Sequence, residues 1–311
     1  KEDKNFYKSG NKKFDEGDYQ GAIDDYSKAI ELDPENPEIY ISRANCKWLL
    51  CGDNQGDYQG ALDDCAKAIE LDSENGELEY ASRGRAKYFL KDFRGAIDDY
   101  SKAIELDPKN LENYIFRGVA KNWIWDHQGV IDDYTKAIEL DPKDSLNYSV
   151  RGDAKDYLED YQGAIDDYSK AIELDPKNPE NYNSRAHSKY SSKDFQGAID
   201  DYTKAIELDP KDQSSYNSRA HSKYFSKDYQ GAIDDYTKAI ELDSEYLTLD
   251  RSYAYRAHSK NALKDYEGAM FDYSKALELT TYEPDKKKFL EWRSEMYQKL
   301  SKIDLDYSQS L

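Results

Sequence analysis

The chain has 311 residues, with 64 acidic against 44 basic side chains and a formal net charge of −20, a balance that argues against nonspecific nucleic-acid binding. Hydrophobic residues make up 38% and the mean hydropathy is −1.03, too little for one thick core, yet 14% aromatics with 29 tyrosines argue against a disordered acidic chain. No apolar run approaches the roughly 18 residues of a membrane span, so no membrane insertion is expected. No basic–apolar leader opens the chain, and a cytoplasmic location is expected. Lys1, standing where a methionine would begin an untrimmed chain, leaves a removed export segment open.

The elements repeat in chain order. Gly-Ala-Ile-Asp-Asp-Tyr begins at Gly21, and variants begin at Gly60, Gly95, Gly129, Gly163, Gly197, Gly231 and Gly268. Successive offsets of 39, 35, 34, 34, 34, 34 and 37 mark a repeat architecture. Eight copies are expected at about 3–36, 37–76, 77–110, 111–144, 145–178, 179–212, 213–249 and 250–283, making 1–283 the repeat region and 284–311 a capping helix with a short tail. Each copy predicts two helices. The second is clearest in 160–178, where Ala164, Ile165, Tyr168, Ala171, Ile172 and Leu174 recur at three- and four-residue steps. Asp160 precedes it as an N-cap, as do Asp18, Asp57, Asp92, Asp126, Asp194, Asp228 and Asp265 in the other copies. Asp-Pro ends this helix in five copies. The first helix, as in 179–192, places Tyr182, Ala186 and Lys189 on one side. Two short helices cannot bury their faces alone, so the units must stack.

On these residues the chain resembles the tetratricopeptide repeat (TPR) family over about 3–283. The matching residues in one copy are Tyr182, Ala186, Ala198, Tyr202, Ala205 and Pro210. The resemblance implies an all-α solenoid: a right-handed TPR superhelix of eight helix-turn-helix repeats plus a C-terminal capping helix. It implies first helices lining a concave groove that binds peptide segments. Departures are an insertion at 51–55, extra residues at 246–248, and Thr280-Thr281 in place of Asp-Pro.

Each second helix carries an aspartate before its core aromatic (Asp25, Asp64, Asp99, Asp133, Asp167, Asp201, Asp235, Asp272), and each following first helix an arginine (Arg43, Arg83, Arg117, Arg151, Arg185, Arg219, Arg256). A usual separation of 18 and Ser9 in the first copy predict pairing between successive copies, extended to Arg293 in the tail. The 284–303 segment predicts an amphipathic cap with Leu290, Met296, Tyr297, Leu300 and Ile303 apolar.

Two stretches of the groove stand out. Repeats two to four are expected to present Ile41, Trp48, Leu49, Tyr88, Phe89, Ile115 and Trp123, an apolar stretch suited to an aliphatic or aromatic partner segment. Repeats six to eight are expected to present Asn183, His187, Tyr190, Asn217, His221, Tyr224 and His258. Packing between repeats competes for the first set, and neutral surface for the second. The histidines are too far apart for one ion if helices lie about 8–10 Å apart and zinc ligands about 2 Å from the metal. No metal, cofactor or catalytic residue is therefore expected.

The lysine–asparagine–arginine cluster with which some family members grip a terminal carboxylate is incomplete. Asn11 and Asn45 match it, but Tyr7, Ile41, Leu78 and Ser82 stand at its other positions. Cys46 and Cys65 replace core residues and predict buried thiols; a disulfide through Cys51 is the alternative. No phosphate-cradling loop appears, the single glycines reading as close-packing positions between helices. The expected function is non-catalytic protein or peptide recognition. Its rival is a self-assembling scaffold or assembly factor, with the tail 303–311 entering a neighbour's groove in a weak homo-oligomer.

Overall fold

The computed structural model describes residues 3–50, 57–72, 76–243 and 248–309, with side chains from residue 5 to residue 303 within those ranges. Among the described residues the chain is helical, without strands. It falls into two compact units, Lys1–Leu158 and Glu159–Leu311. Unit 1 holds α1 (Asp3–Asp15), α2 (Tyr19–Leu32), α3 (Pro37–Leu49), α4 (Tyr58–Leu71), α5 (Glu77–Phe89), α6 (Phe93–Leu106), α7 (Leu111–Trp123), α8 (His127–Leu140) and α9 (Ser145–Tyr157). Unit 2 holds α10 (Tyr161–Leu174), α11 (Pro179–Ser191), α12 (Phe195–Leu208), α13 (Gln213–Phe225), α14 (Tyr229–Leu242), α15 (Leu249–Ala262), α16 (Tyr266–Leu279) and α17 (Glu283–Gln309). Within each unit every helix packs on the next, and α1, α3, α5 and α7 in unit 1, like α11, α13 and α15 in unit 2, also touch one another in succession. Stacked helix pairs of this kind are the all-α solenoid class. The insertion at 51–55, Cys51, and the extra residues 246–247 lie outside the described residues.

Local chemistry fixes each pair. In α12 the Asp194 carboxylate accepts from the Gly197 amide at 3.0 Å, satisfying one orphan donor of the first turn. A Cβ on Gly197 would sit 2.1 Å from the Asp194 Oδ2. The repeated glycine therefore makes room for the cap, not for a neighbouring helix as its single occurrence had implied. The turn before the cap needs a left-handed residue, and Lys193 adopts φ of 70° there. Between pairs, the Tyr182 hydroxyl donates to the Pro176 carbonyl at 3.3 Å, and Asn178 caps α11 through the Glu180 amide.

The core is divided among the pairs. Ala186, Ala198 and Tyr202 form one buried cluster, and Ala220, Ala232 and Tyr236 another. Small alanines let the helices approach, and one tyrosine fills each gap. Cys46 and Cys65 are buried free thiols in this core, as expected. The cap helix α17 packs on α16 through Phe289 and Met296, 3% and 1% exposed. Leu290, Tyr297 and Ile303 instead remain exposed, so the apolar face differs from the expected one. Phe289 and Met296 are seven apart on one helical stripe, whereas Leu290 and Tyr297 lie about 100° further round. Helix α17 runs on to Gln309, so residues 303–309 of the expected short tail are helical.

In the helix pairs that lie inside one unit the charged ladder pairs within the helix pair, which corrects the between-copy expectation. Arg43 binds Asp64, Arg83 Asp99, Arg117 Asp133, Arg185 Asp201, Arg219 Asp235 and Arg256 Asp272, with Nη2–oxygen distances of 2.5–2.7 Å. A lysine one turn on completes each site, as Lys189 does for Asp201 at 2.8 Å. In the first pair Ser9 and Lys13 hold Asp25 themselves, so Ser9 marks a variant of the internal pair. Residues level across one turn are also level across the other, and for that reason equidistance did not discriminate. The link between pairs runs through the remaining nitrogen: Arg185 Nη1 donates to Ser169 at 3.0 Å. Asp272 is occupied by Arg256 and Lys260, not by Arg293.

Candidate functional site

In unit 1 a cavity of about 320 Å³ opens among α1, α3, α5 and α7, lined by Phe14, Asn45, Trp48, Leu49, Leu78, Ser82, Arg85 and Phe116, with Glu77, Glu112 and Asn113 at the same site. Its centre is a cation between two rings. The Arg85 guanidinium lies 4.8 Å from the Trp48 ring centroid and 4.6 Å from that of Phe116, an arrangement that favours a desolvated cation. Two buried donors nevertheless lack an acceptor: Trp48 Nε1 and Arg85 Nε. Glu77 is engaged by the amides of Asn110 and Asn113, and Glu112 sits 4.0 Å from Arg85 on an exposed side chain. A ligand complementary to this surface carries apolar groups and a hydrogen-bond acceptor.

The expected apolar stretch divides into three places. Trp48 and Leu49 line the cavity. Tyr88, Phe89 and Trp123 lie beside the turns, where Phe89 stacks on Tyr58 at 5.0 Å and Trp123 on Phe93 at 5.4 Å. Trp123 Nε1 donates to the Tyr88 hydroxyl at 2.7 Å while the residue stays 59% exposed. Ile41 is core, 4% exposed, and Ile115, partly buried, packs against the cluster of Val130, Tyr134 and Ala154. Phe116 was missed. Ile115 and Phe116 are neighbours about 100° apart on the helix, and the inward one is the second. Its signal was an aromatic where other copies carry Ser42, Ser82, Ser184 and Ser218.

In unit 2 the polar stretch lines two cavities that share His221. His187, Tyr190, Tyr202, Asn217 and His221 border one of about 280 Å³; His221, Tyr224, Phe225, Tyr255 and His258 border one of about 180 Å³. His221 Nδ1 lies 2.9 Å from the Tyr236 hydroxyl, and His258 Nδ1 2.9 Å from that of Tyr273. Burial holds both imidazoles below the ordinary histidine range. These two rings are packed elements rather than open neutral surface, because Tyr255 and Trp292 close over them edge-on at 4.2 and 4.4 Å. Asn183 turns aside: its amide oxygen accepts from Ser215 at 2.7 Å, tying α11 to α13. Asn217 accepts similarly from Ser252 at 3.0 Å. Among the described residues no group of three or more His, Cys, Asp and Glu side chains is placed to hold a metal, and no helix is long and apolar enough to cross a membrane.

Helix pairs of near-constant length, packed in series through Tyr/Ala cores, define a helical-repeat protein. Models described as tetratricopeptide repeat match residues 179–212 and residues 80–110 and 213–246, and one described as TPR repeat matches 10–49 and 152–192. Together they span more than half of the chain, which belongs to the tetratricopeptide repeat family. The curated proteins contain no match. Among solved structures the chain is similar to the MamA protein, at 26% identity over 54% of this chain and 92% of that one, with a TM-score of 0.53. It is also similar to a tetratricopeptide repeat protein from Parabacteroides merdae ATCC 43184, at 19% identity over 83% and 98% of the two chains and a TM-score of 0.57. YrrB, described as a TPR protein with an unusual peptide-binding site, matches at 18% identity over 63% and 97%, with a TM-score of 0.54. The last two likenesses concern the fold.

Proposed function

We propose that the protein is a non-catalytic interaction scaffold whose first-helix faces receive segments of partner proteins, with the unit 1 cavity as an anchoring site. In this reading the eight copies over 1–283 form the binding scaffold and 284–311 its cap. The observation that carries it is the pair of buried donors, Trp48 Nε1 and Arg85 Nε, left without acceptors beside an apolar cavity. An unsatisfied buried donor costs about 1–3 kcal/mol, a cost that an incoming carbonyl or carboxylate removes. Family membership supports the same reading. Partner affinity then depends on the ring–cation–ring centre and less on the rim.

Selection of a random displayed peptide library on the intact chain tests this. Peptides should be enriched, and Arg85→Ala and Phe116→Ser should each weaken them about tenfold or more, with far-ultraviolet circular dichroism unchanged. No enrichment, or affinity in both variants unchanged from the wild type, would overturn the reading.

A further inference from the structure

Unit 2 repeats one feature at regular steps. The 280 Å³ cavity beside His187 and the 180 Å³ cavity beside His258 meet at His221. The second in turn meets a third, of about 210 Å³, at Tyr255, bounded on its far side by Phe289 and Trp292 of the cap. Trp292 stands to His258 as Tyr255 stands to His221, so α17 continues the row as though it were another first helix. Each cavity is small, of side-chain size; the first two are lined mainly by aromatic rings, and the third joins Tyr255, Phe289 and Trp292 to Arg251, Asp285 and Lys288.

We propose that this row receives a proline-rich segment in the polyproline II conformation, one residue of every third entering each pocket. Spacing decides among the possible ligand conformations. Successive packed helices lie about 8–10 Å apart. Polyproline II advances about 3.1 Å per residue with three residues per turn, returning a side chain to the same face every ~9.3 Å. An extended β-segment repeats a face every ~6.6–6.8 Å and an α-helix every ~5.4 Å, so neither keeps step over three pockets.

The chemistry agrees with the spacing. Flat aromatic grooves are the surfaces on which rigid proline-rich segments dock. Their backbone carbonyls are not used internally, and the phenols of Tyr190 and Tyr224, raised by burial so that they keep their hydrogens, supply donors. Neutral His221 and His258 give the centre of the row no net charge. At the third pocket Arg251 and Asp285 approach to 3.9 Å. At the first two pockets a charged ligand gains little, charge being confined to the third by Lys288 and the Arg251–Asp285 pair, whereas an uncharged rigid ligand loses little entropy on binding.

The proposal stands apart from the unit 1 cavity, and its test separates the two. A synthetic ten-proline peptide is titrated into the intact chain by calorimetry, beside a glycine–serine peptide of equal length. Two variants borrow residues from the chain's own repeats: Tyr255→Ser, since Ser184 and Ser218 occupy that column, and Tyr190→Asn, since Asn122 does. Circular dichroism checks that each is folded, and either variant alone suffices. The expected result is binding of the proline peptide only, weakened about fivefold or more by each folded variant and unchanged by Arg85→Ala. No binding of the proline peptide, equal binding of both peptides, or unaltered affinity in the folded variants overturns the proposal. An amphipathic helical peptide competing more strongly for the same site overturns it as well.

Discussion

Arg219 and Thr203 meet across the junction between two helix pairs, Nη1 donating to the threonine hydroxyl at 3.1 Å. The other two donor nitrogens of Arg219 hold Asp235 at 2.8 and 2.7 Å, so one guanidinium ties α12, α13 and α14. The same bridge joins Arg43 to Ser27, Arg117 to Ser101 and Arg256 to Thr237. Thr203→Val should cost about 1 kcal/mol, the value of an ordinary hydrogen bond. Arg219→Met strands a buried carboxylate, for which the usual cost is about 3–5 kcal/mol; Lys223, which stays at 2.8 Å, should keep it near the low end. Urea unfolding followed by circular dichroism distinguishes them, and equal losses would contradict the bridge.

The Asp194–Gly197 cap makes a non-additive prediction. Asp194→Ala should cost about 1 kcal/mol. Gly197→Ala alone should destabilise, because its Cβ would meet the capping carboxylate. With Asp194 already replaced, the same change should stabilise by up to about 1 kcal/mol, the ordinary helix preference of alanine over glycine. Additive effects in a double-mutant cycle would show that the glycine has another role.

Helix pairs, caps and turns were legible because each depends on residues a few positions apart, and eight copies repeat them. Facing across helices was less so. Asp201 lies 16 residues after Arg185, and a separation of 18 to the next copy's arginine looked equally good. The ion pairs themselves decide between them, Arg185 on Asp201 and, in the first copy, Ser9 and Lys13 on Asp25. Leu290 against Phe289 is an error of one residue, about 100° of rotation, and Phe116 beside Ile115 was overlooked by the same step. Such errors arise where two apolar neighbours compete for one inward direction. Pocket depth at Arg85 and Tyr255 depends on three or more helices at once, which no local pattern encodes.

Acid should weaken the fold through His221 and His258, whose pKa values burial lowers. Above the unfolded histidine pKa of about 6.5 both states are neutral and no penalty arises. As the pH falls below it, the unfolded chain takes up protons that the buried rings resist, so stability declines toward the folded-state pKa. The melting temperature of the wild type should therefore drop more steeply between about pH 7.5 and 5.5 than that of a His221→Asn, His258→Asn variant. Parallel slopes would contradict it.

Burial pushes the Cys46 and Cys65 thiols up to about 12, leaving almost no thiolate near neutrality. In a Cys51→Ser variant, native protein should react slowly with a thiol reagent at pH 8 and stoichiometrically, for two thiols, once denatured. Rapid reaction of the native chain would show that one core column is open.

The most direct measurement for the interaction function is a crystal structure of the intact chain with a selected peptide whose binding Arg85→Ala weakens. The account predicts an apolar side chain of the peptide in the cavity beside Trp48 and Phe116, with an acceptor oxygen within hydrogen-bonding distance of Trp48 Nε1 or the Arg85 guanidinium. A peptide seated away from the first-helix faces, with both donors still unpaired, would contradict it.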